Sequence, residues 1–303
     1  MRTLAGCALA AARAGIVAGA LGALGGLALA AAPASALPVT LQDGSAVVAV
    51  DPGSPDGVSA WAVNGVVHLR TQWFWLRVGD AGPETSIDAL TETARVASDT
   101  DADGQTDTLF LALADRAARF AMELRWSLAG TPFAPITAGA ASDLALQLRL
   151  TNTSGGPLDV TLFQYTDVDL FNSFVDDSAL WSGGPGGPNT ALVTDSTGLA
   201  EWESVWTPRP TAVEASLYDT ALASLLDGDP TALTGALAAA GDVTVSAAWR
   251  AVLGAGGSLL VSQDQQIRVA PIPEPSLALL VGSGLAILSA SRRRRIAPGE
   301  EGP

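Results

Sequence analysis

The sequence predicts an antiparallel β-sandwich, jelly-roll or immunoglobulin-like, with a small helical insert. Three observations predict it: long stretches of period-two hydrophobicity, glycine-rich breaks between them, and only two convincing helical patterns. In RFAMELRWSLAG, residues 119–130, Phe120, Met122, Leu124, Trp126 and Leu128 alternate with Ala121, Glu123, Arg125 and Ser127. Successive strand side chains point to opposite faces, so this pattern gives a strand with one buried face.

DLALQLRLTNTS, residues 143–154, repeats the pattern with Leu144, Leu146, Leu148 and Leu150. The Gly-Gly-Pro that follows leads into LDVTLFQYTDVDL, residues 158–170, and the pair reads as a hairpin. GDVTVSAAWRAVL and SLLVSQDQQIRV, residues 241–253 and 258–269, flank Gly-Ala-Gly-Gly and read as a second hairpin. GVVHLRTQWFWLRVG, residues 65–79, is a strand rich in aromatic residues. Helices are expected at 214–228 and at 229–241, the second with Asp229 as N-cap, Pro230 at its first position and Gly241 after its end. SGGPGGPN, residues 182–189, reads as a loop. Strands look alike on both sides of it, so residues 37–270 form one domain.

From Leu37 to Ile272 there are 10 of the 16 basic residues, all Arg, against 28 of the 31 acidic ones, a formal charge of −18. Phosphate binding needs clustered positive charge, so nucleic acid is excluded as a partner. Cys7 is the only cysteine and falls in the N-terminal apolar stretch, which leaves the exported section without disulfide or thiol chemistry.

Residues 1–36 read as a signal peptide: Arg2 and Arg13 precede an apolar stretch, and Ala34 and Ala36 frame a small-residue cleavage site for signal peptidase. Near the other end, Ser276–Ala290 carries no charge, but at about 1.5 Å per residue it reaches only ~22 Å, short of the ~30 Å hydrocarbon layer unless its flanks join it. Arg292, Arg293, Arg294 and Arg295 set the direction, because clustered arginines stay in the cytoplasm. Pro273 and Pro275 keep the chain around Glu274 extended and open to a protease.

This order, Pro273-Glu274-Pro275, a membrane helix, then four arginines, resembles the PEP-CTERM sorting signal of exopolysaccharide-producing bacteria. The resemblance covers residues 271–295 and is followed by a tail, 296–303, longer than such signals usually carry. It implies processing by an exosortase near Glu274, from an inner-membrane-anchored precursor to a cell-surface or extracellular protein. Tracts such as QWFWLRVGDAGPE, DLALQLRLTNTS and FQYTDVDL resemble other exported proteins with this signal and carry no assigned activity.

Candidate sites are few. DTDADGQTD places Asp99, Asp101, Asp103 and Asp107 at positions 1, 3, 5 and 9 of an EF-hand-like loop with Gly104 at the turn, a spacing suited to calcium; Phe110 stands where the bidentate Glu is needed. No other cofactor is expected. Of the eight tryptophans, Trp73 and Trp75 share a strand and read as core, whereas Trp202 and Trp206, beside Glu201 and Glu203, are expected to be partly exposed. His68 is the only histidine; it excludes a multi-histidine metal site and reads as a half-buried structural residue. Asp167, Asp169, Asp176, Asp177, Glu201 and Glu203 are available as the acid and base of a glycosidase. The expectation is an exported, non-catalytic surface or matrix protein, with polysaccharide as a partner; the alternatives are a secreted carbohydrate-active enzyme and a calcium-dependent adhesive module.

Overall fold

The structure, a computed structural model, describes residues 37–135 and 138–271. Ala34, Ala36, the expected C-terminal membrane helix, Pro273, Glu274, Pro275 and Arg292–Arg295 lie outside these residues. Among the described residues no helix is long and apolar enough to cross a membrane.

Two antiparallel sheets share the chain. β1 (Val39–Asp43), β2 (Ala46–Asp51), β3 (Gly57–Val63), β4 (Val66–Val78) and the short β5 (Thr85–Ser86) enter the first sheet; β6 (Thr91–Ser98), β7 (Thr108–Ala114), β8 (Phe120–Gly130) and β9 (Ala140–Asn152) enter the second. β10 (Leu158–Val168) returns to the first, and β11 (Asp177–Ser182), β12 (Thr190–Asp195) and β13 (Ala200–Thr207) to the second. β14 (Ala212–Leu217), β15 (Ala238–Gly241), β16 (Val243–Leu253) and β17 (Ser258–Val269) then alternate between the two, with the helix α1 (Thr220–Leu226) after β14. The first sheet runs β1-β2-β3-β4-β10-β16-β14, and the second β15-β11-β12-β13-β17-β9-β8-β7-β6.

The period-two strands behave as expected: Phe120, Met122, Leu124, Trp126 and Leu128 of β8 are buried, as are Leu144, Leu146, Leu148 and Leu150 of β9. β3 and β4 are joined by Asn64-Gly65, both in the left-handed region at φ 50° and 77°, the geometry a two-residue hairpin turn demands.

Both expected hairpins are corrected. β9 and β10 lie in different sheets, and so do β16 and β17; β9 pairs with β17 while β10 pairs with β16. Each glycine-rich connection therefore carries the chain across from one sheet to the other, and the two crossings lie side by side. Asn152 ties them together: its amide donates to the carbonyls of Gly156, Leu253 and Gly254 at 2.8, 2.8 and 3.0 Å, and its Oδ1 accepts from Ser154 N. Hairpin and crossing share the same local signals, and only the long-range pairing separates them.

The helical insert is smaller than expected. Residues 212–217 form β14, because Val213 and Ala215 bury themselves beside β16, and only 220–226 are helical. The expected helix at 229–241 does not form: Ala238–Gly241 pairs with β11, and Thr231 is held by Glu84 through both its N–H and its hydroxyl. Tertiary hydrogen bonds override the modest intrinsic propensity of this alanine-rich stretch.

Between the sheets lies a buried polar ladder. Gln72 of β4 and Gln265 of β17 exchange amide hydrogen bonds at 2.8 and 3.1 Å; Gln164 of β10 bonds Gln263 of β17, which bonds Ser204 of β13. Trp206 donates its indole N–H to Gln164 at 2.8 Å and packs on Trp181, with 4.7 Å between ring centroids. Trp202 and Trp206 are thus fully buried, which corrects the expectation of partial exposure: they face the sandwich interior, while Glu201 and Glu203 alternate outward. All eight indoles are buried, so no tryptophan face is free to receive a sugar.

Candidate functional site

Strand parity on β10 divides two kinds of polar residue. Gln164 and Thr166 belong to the ladder; Tyr165 and Asp167 alternate with them and point to the opposite face. Tyr165 lies opposite Ser246, and Asp167 opposite Thr244 and Thr71. The chain then bulges at Asp167/Val168 and turns through Leu170–Asn172 into β11, where Asp177 begins the strand. Asp242, between β15 and β16, completes the group.

Carboxylate oxygens of Asp167, Asp169 and Asp242 all lie within 4.8 Å of one another. Asp167 is 5% exposed, Asp169 7% and Asp177 1%. Asp169 meets Arg70 Nε at 3.3 Å, and Asp177 Oδ2 accepts from Leu170 N at 3.1 Å. Among the described residues Oδ1 of Asp167, of Asp169 and of Asp177 has no hydrogen-bond partner, nor has the hydroxyl of Tyr165 or of Ser246. This concentration of unpaired buried atoms is unusual, since native proteins pair nearly all of them.

The electrostatics follow from burial. It pushes Asp167 up to about 7, helped by the charges of Asp169, Asp242 and Asp177 and opposed by Arg70. It pushes Asp177 up to about 7 as well, against the Leu170 amide and with Asp176, Asp169 and Asp195 adding to the rise. Asp169 and Asp242 are raised in the same way. His68, also fully buried, accepts from Phe171 N at 3.2 Å; burial lowers its imidazole to about 4, with Asp195 working against the shift. It is a packed structural residue, deeper than the half-buried position expected.

The walls of the site are strained. Phe171 and Asn172, in the turn above Asp169, have φ of 55° and 60°, and Asp219 has φ of 72°. Left-handed backbone costs Phe171 about 1–2 kcal/mol, while Asn172 and Asp219 are residue types that adopt it more readily. Tyr218, half exposed, donates its backbone N–H to Asp242 O at 2.7 Å, and its phenol feels Asp167, Asp219, Asp242 and Asp169. Phe174 is exposed at the end of the neighbouring turn.

Three of the six carboxylates expected as glycosidase candidates, Asp167, Asp169 and Asp177, come together here. Asp176 instead accepts from Ser196 at 2.8 Å, Glu201 pairs with Arg268 at 2.9 Å, and Glu203 lines a shallow hollow with Asp143 and Asp264. Asp242 escaped the sequence reading because it follows a segment read as helix. The expected calcium loop folds on itself: Asp99 accepts from Ala102 N and Gly104 N, Asp103 from Gln105, and Asp107 from Thr100 and Thr108. Oxygens of Asp99, Asp101 and Asp107 still lie within 4.8 Å of one another, while Asp103 groups with Asp101 and Asp43.

No protein-family model and no curated protein matches the chain. Solved structures do. A bacterial glucoamylase complexed with acarbose is similar at 10% identity and a TM-score of 0.53, over 78% of this chain and 33% of that one, so the chain spans about a third of the glucoamylase. A galactose mutarotase related enzyme from Lactobacillus acidophilus is similar at 7% identity and a TM-score of 0.49, over 78% and 99% of the two chains. The alpha-galactosidase from Lactobacillus brevis aligns at 10% identity and a TM-score of 0.42, over 79% and 40%. The likeness to the glucoamylase is one of fold. It corrects the non-catalytic expectation to this extent: the same sandwich fold occurs within an enzyme, so the fold gives no ground for excluding catalysis.

Proposed function

We propose that the described domain is a carbohydrate-active enzyme whose site is the carboxylate group Asp167, Asp169, Asp177 and Asp242. One observation carries the reading: at the end of β10, buried carboxylates with unpaired oxygens stand beside a turn that holds Phe171 in left-handed backbone. That combination costs stability, and such costs concentrate at functional sites. Carboxylates accept hydrogen bonds from neighbouring sugar hydroxyls and move protons at an anomeric centre. Asp177 stands outside the tight group of three, with Oδ2 fixed by Leu170 N and Oδ1 free, and is the residue assigned to proton transfer. The half-exposed ring of Tyr218, whose residue is bonded to Asp242, offers an apolar surface at the site for a pyranose.

The test is a panel of polysaccharides, oligosaccharides and free aldoses, read by reducing-end release and by anomer interconversion. Turnover of at least one substrate is expected, reduced by about 100-fold or more in Asp177→Asn with the fold retained. No turnover on any member overturns the reading.

Export and sorting belong to the same proposal, supported by the order of elements in the sequence. Signal peptidase cuts after Ala36; an exosortase acts near Pro273-Glu274-Pro275 while Arg292–Arg295 stay in the cytoplasm; the domain reaches the cell surface or the extracellular matrix, where exopolysaccharide is at hand. Glu274→Ala, or neutral residues in place of the four arginines, leaves unprocessed precursor in the cytoplasmic membrane. Processing identical to that of the wild type refutes the sorting.

A further inference from the structure

The geometry points to a divalent cation of the calcium type held by Asp167, Asp169 and Asp242. Their oxygens lie within 4.8 Å of one another. That is the spread of ligands on one sphere around a cation whose oxygen contacts are about 2.3–2.6 Å. Asp167 and Asp169 are more than nine-tenths buried, and Oδ1 of each has no hydrogen-bond partner. Three carboxylates so placed need compensation, because an unpaired buried charge is costly. Arg70 supplies little of it: the side chain is 45% exposed, and its contacts are with Asp169 and Asn172.

The donors are all oxygen, which selects a hard cation over zinc or copper. Asp177, whose Oδ1 is also unpaired and whose charge Asp167 feels, stands next to the group. The contrast with the Asp99–Asp107 loop is physical. There Asp99, Asp101 and Asp103 are exposed and their oxygens accept from the backbone of their own turn; at Asp167 and Asp169 the free oxygens are buried. The cation gives the proposed carbohydrate site a cofactor and so builds on that reading, but it is measured with no sugar present.

The experiment is calorimetric titration of the chelator-treated mature protein with calcium, magnesium and manganese chlorides, alongside melting curves. One saturable site and a raised Tm are expected for at least one cation. Asp242→Asn and Asp169→Asn, both isosteric, weaken binding at least about tenfold, while Asp101→Asn in the exposed loop leaves it unchanged. The inference is overturned by no heat and no Tm shift at millimolar metal, or by binding that survives both Asp242→Asn and Asp169→Asn. Loss of binding in Asp101→Asn with retention in Asp242→Asn moves the cation to the loop and overturns it equally. A domain that binds cation but turns over no sugar keeps this inference and sinks the enzymatic one.

Discussion

Gln72 and Gln265, on β4 of one sheet and β17 of the other, are fully buried and exchange two amide hydrogen bonds across the interior, at 2.8 and 3.1 Å. Each satisfies the other, and Gln72 also donates to Thr166 at 3.1 Å. Gln265→Leu leaves the buried Gln72 carbonyl without its donor and keeps only the bond to Thr166, which costs about 1–3 kcal/mol. The double variant Gln72→Leu/Gln265→Leu costs less than the sum of the singles, because both orphaned amides are gone. Urea unfolding of the four proteins checks this; additive costs contradict it.

Asn152 holds the two sheet crossings through one side-chain amide and three carbonyls. Asn152→Ala strands those carbonyls and costs upwards of about 3 kcal/mol. Asn152→Asp keeps the acceptor for Ser154 but loses the donor, so it is expected to be as damaging as alanine. Comparable melting of Asn152→Asp and the wild type contradicts the donor role.

Glu84 is buried between β4 and the segment that precedes β15: it takes Arg77 Nη1 at 2.7 Å, and the N–H and hydroxyl of Thr231 at 3.1 and 2.8 Å. Arg77 also lies over the ring of Phe163, 5.3 Å from its centroid. Removing one partner of a buried pair costs about 3–5 kcal/mol, so Glu84→Ala is strongly destabilising. It also frees residues 229–237, and limited proteolysis is expected to cut there first.

Gly57 opens β3 at φ +57°, and a Cβ there would stand 1.9 Å from Cε3 of Trp73. Gly65 is also left-handed, at φ +77°, but open. Gly57→Ala combines backbone strain with overpacking, about 2–5 kcal/mol, whereas Gly65→Ala carries only the strain, about 1–2 kcal/mol. Equal melting temperatures for the two variants contradict this contrast.

The sandwich was legible where one strand face is buried and the other wet, as in β8 and β9, because there the pattern in the sequence is the pattern of burial. It was illegible where pairing is decided at long range. Asn152 and Gly254–Gly257 look like hairpin material, yet they serve crossings between sheets; Ala238–Gly241 looks helical, yet it pairs with Asp177–Leu180. Trp206 gave no local sign that it bonds Gln164. Asp167, Asp169 and Asp177 could be named from abundance alone, but nothing in the sequence joined them to Asp242, 65 residues beyond Asp177. The lone histidine and the Asp99 loop are short-range features, while the carboxylate group is built by three separate stretches of chain: the end of β10, the start of β11 and the link between β15 and β16.

The most direct test of the proposed carbohydrate site is a crystal structure of the protein with a saccharide selected from the substrate panel. The account predicts the sugar ring beside Tyr218, with hydroxyls within hydrogen-bond reach of Asp177 and of at least one of Asp167, Asp169 and Asp242. A saccharide seated elsewhere on the domain, touching none of these four, contradicts it.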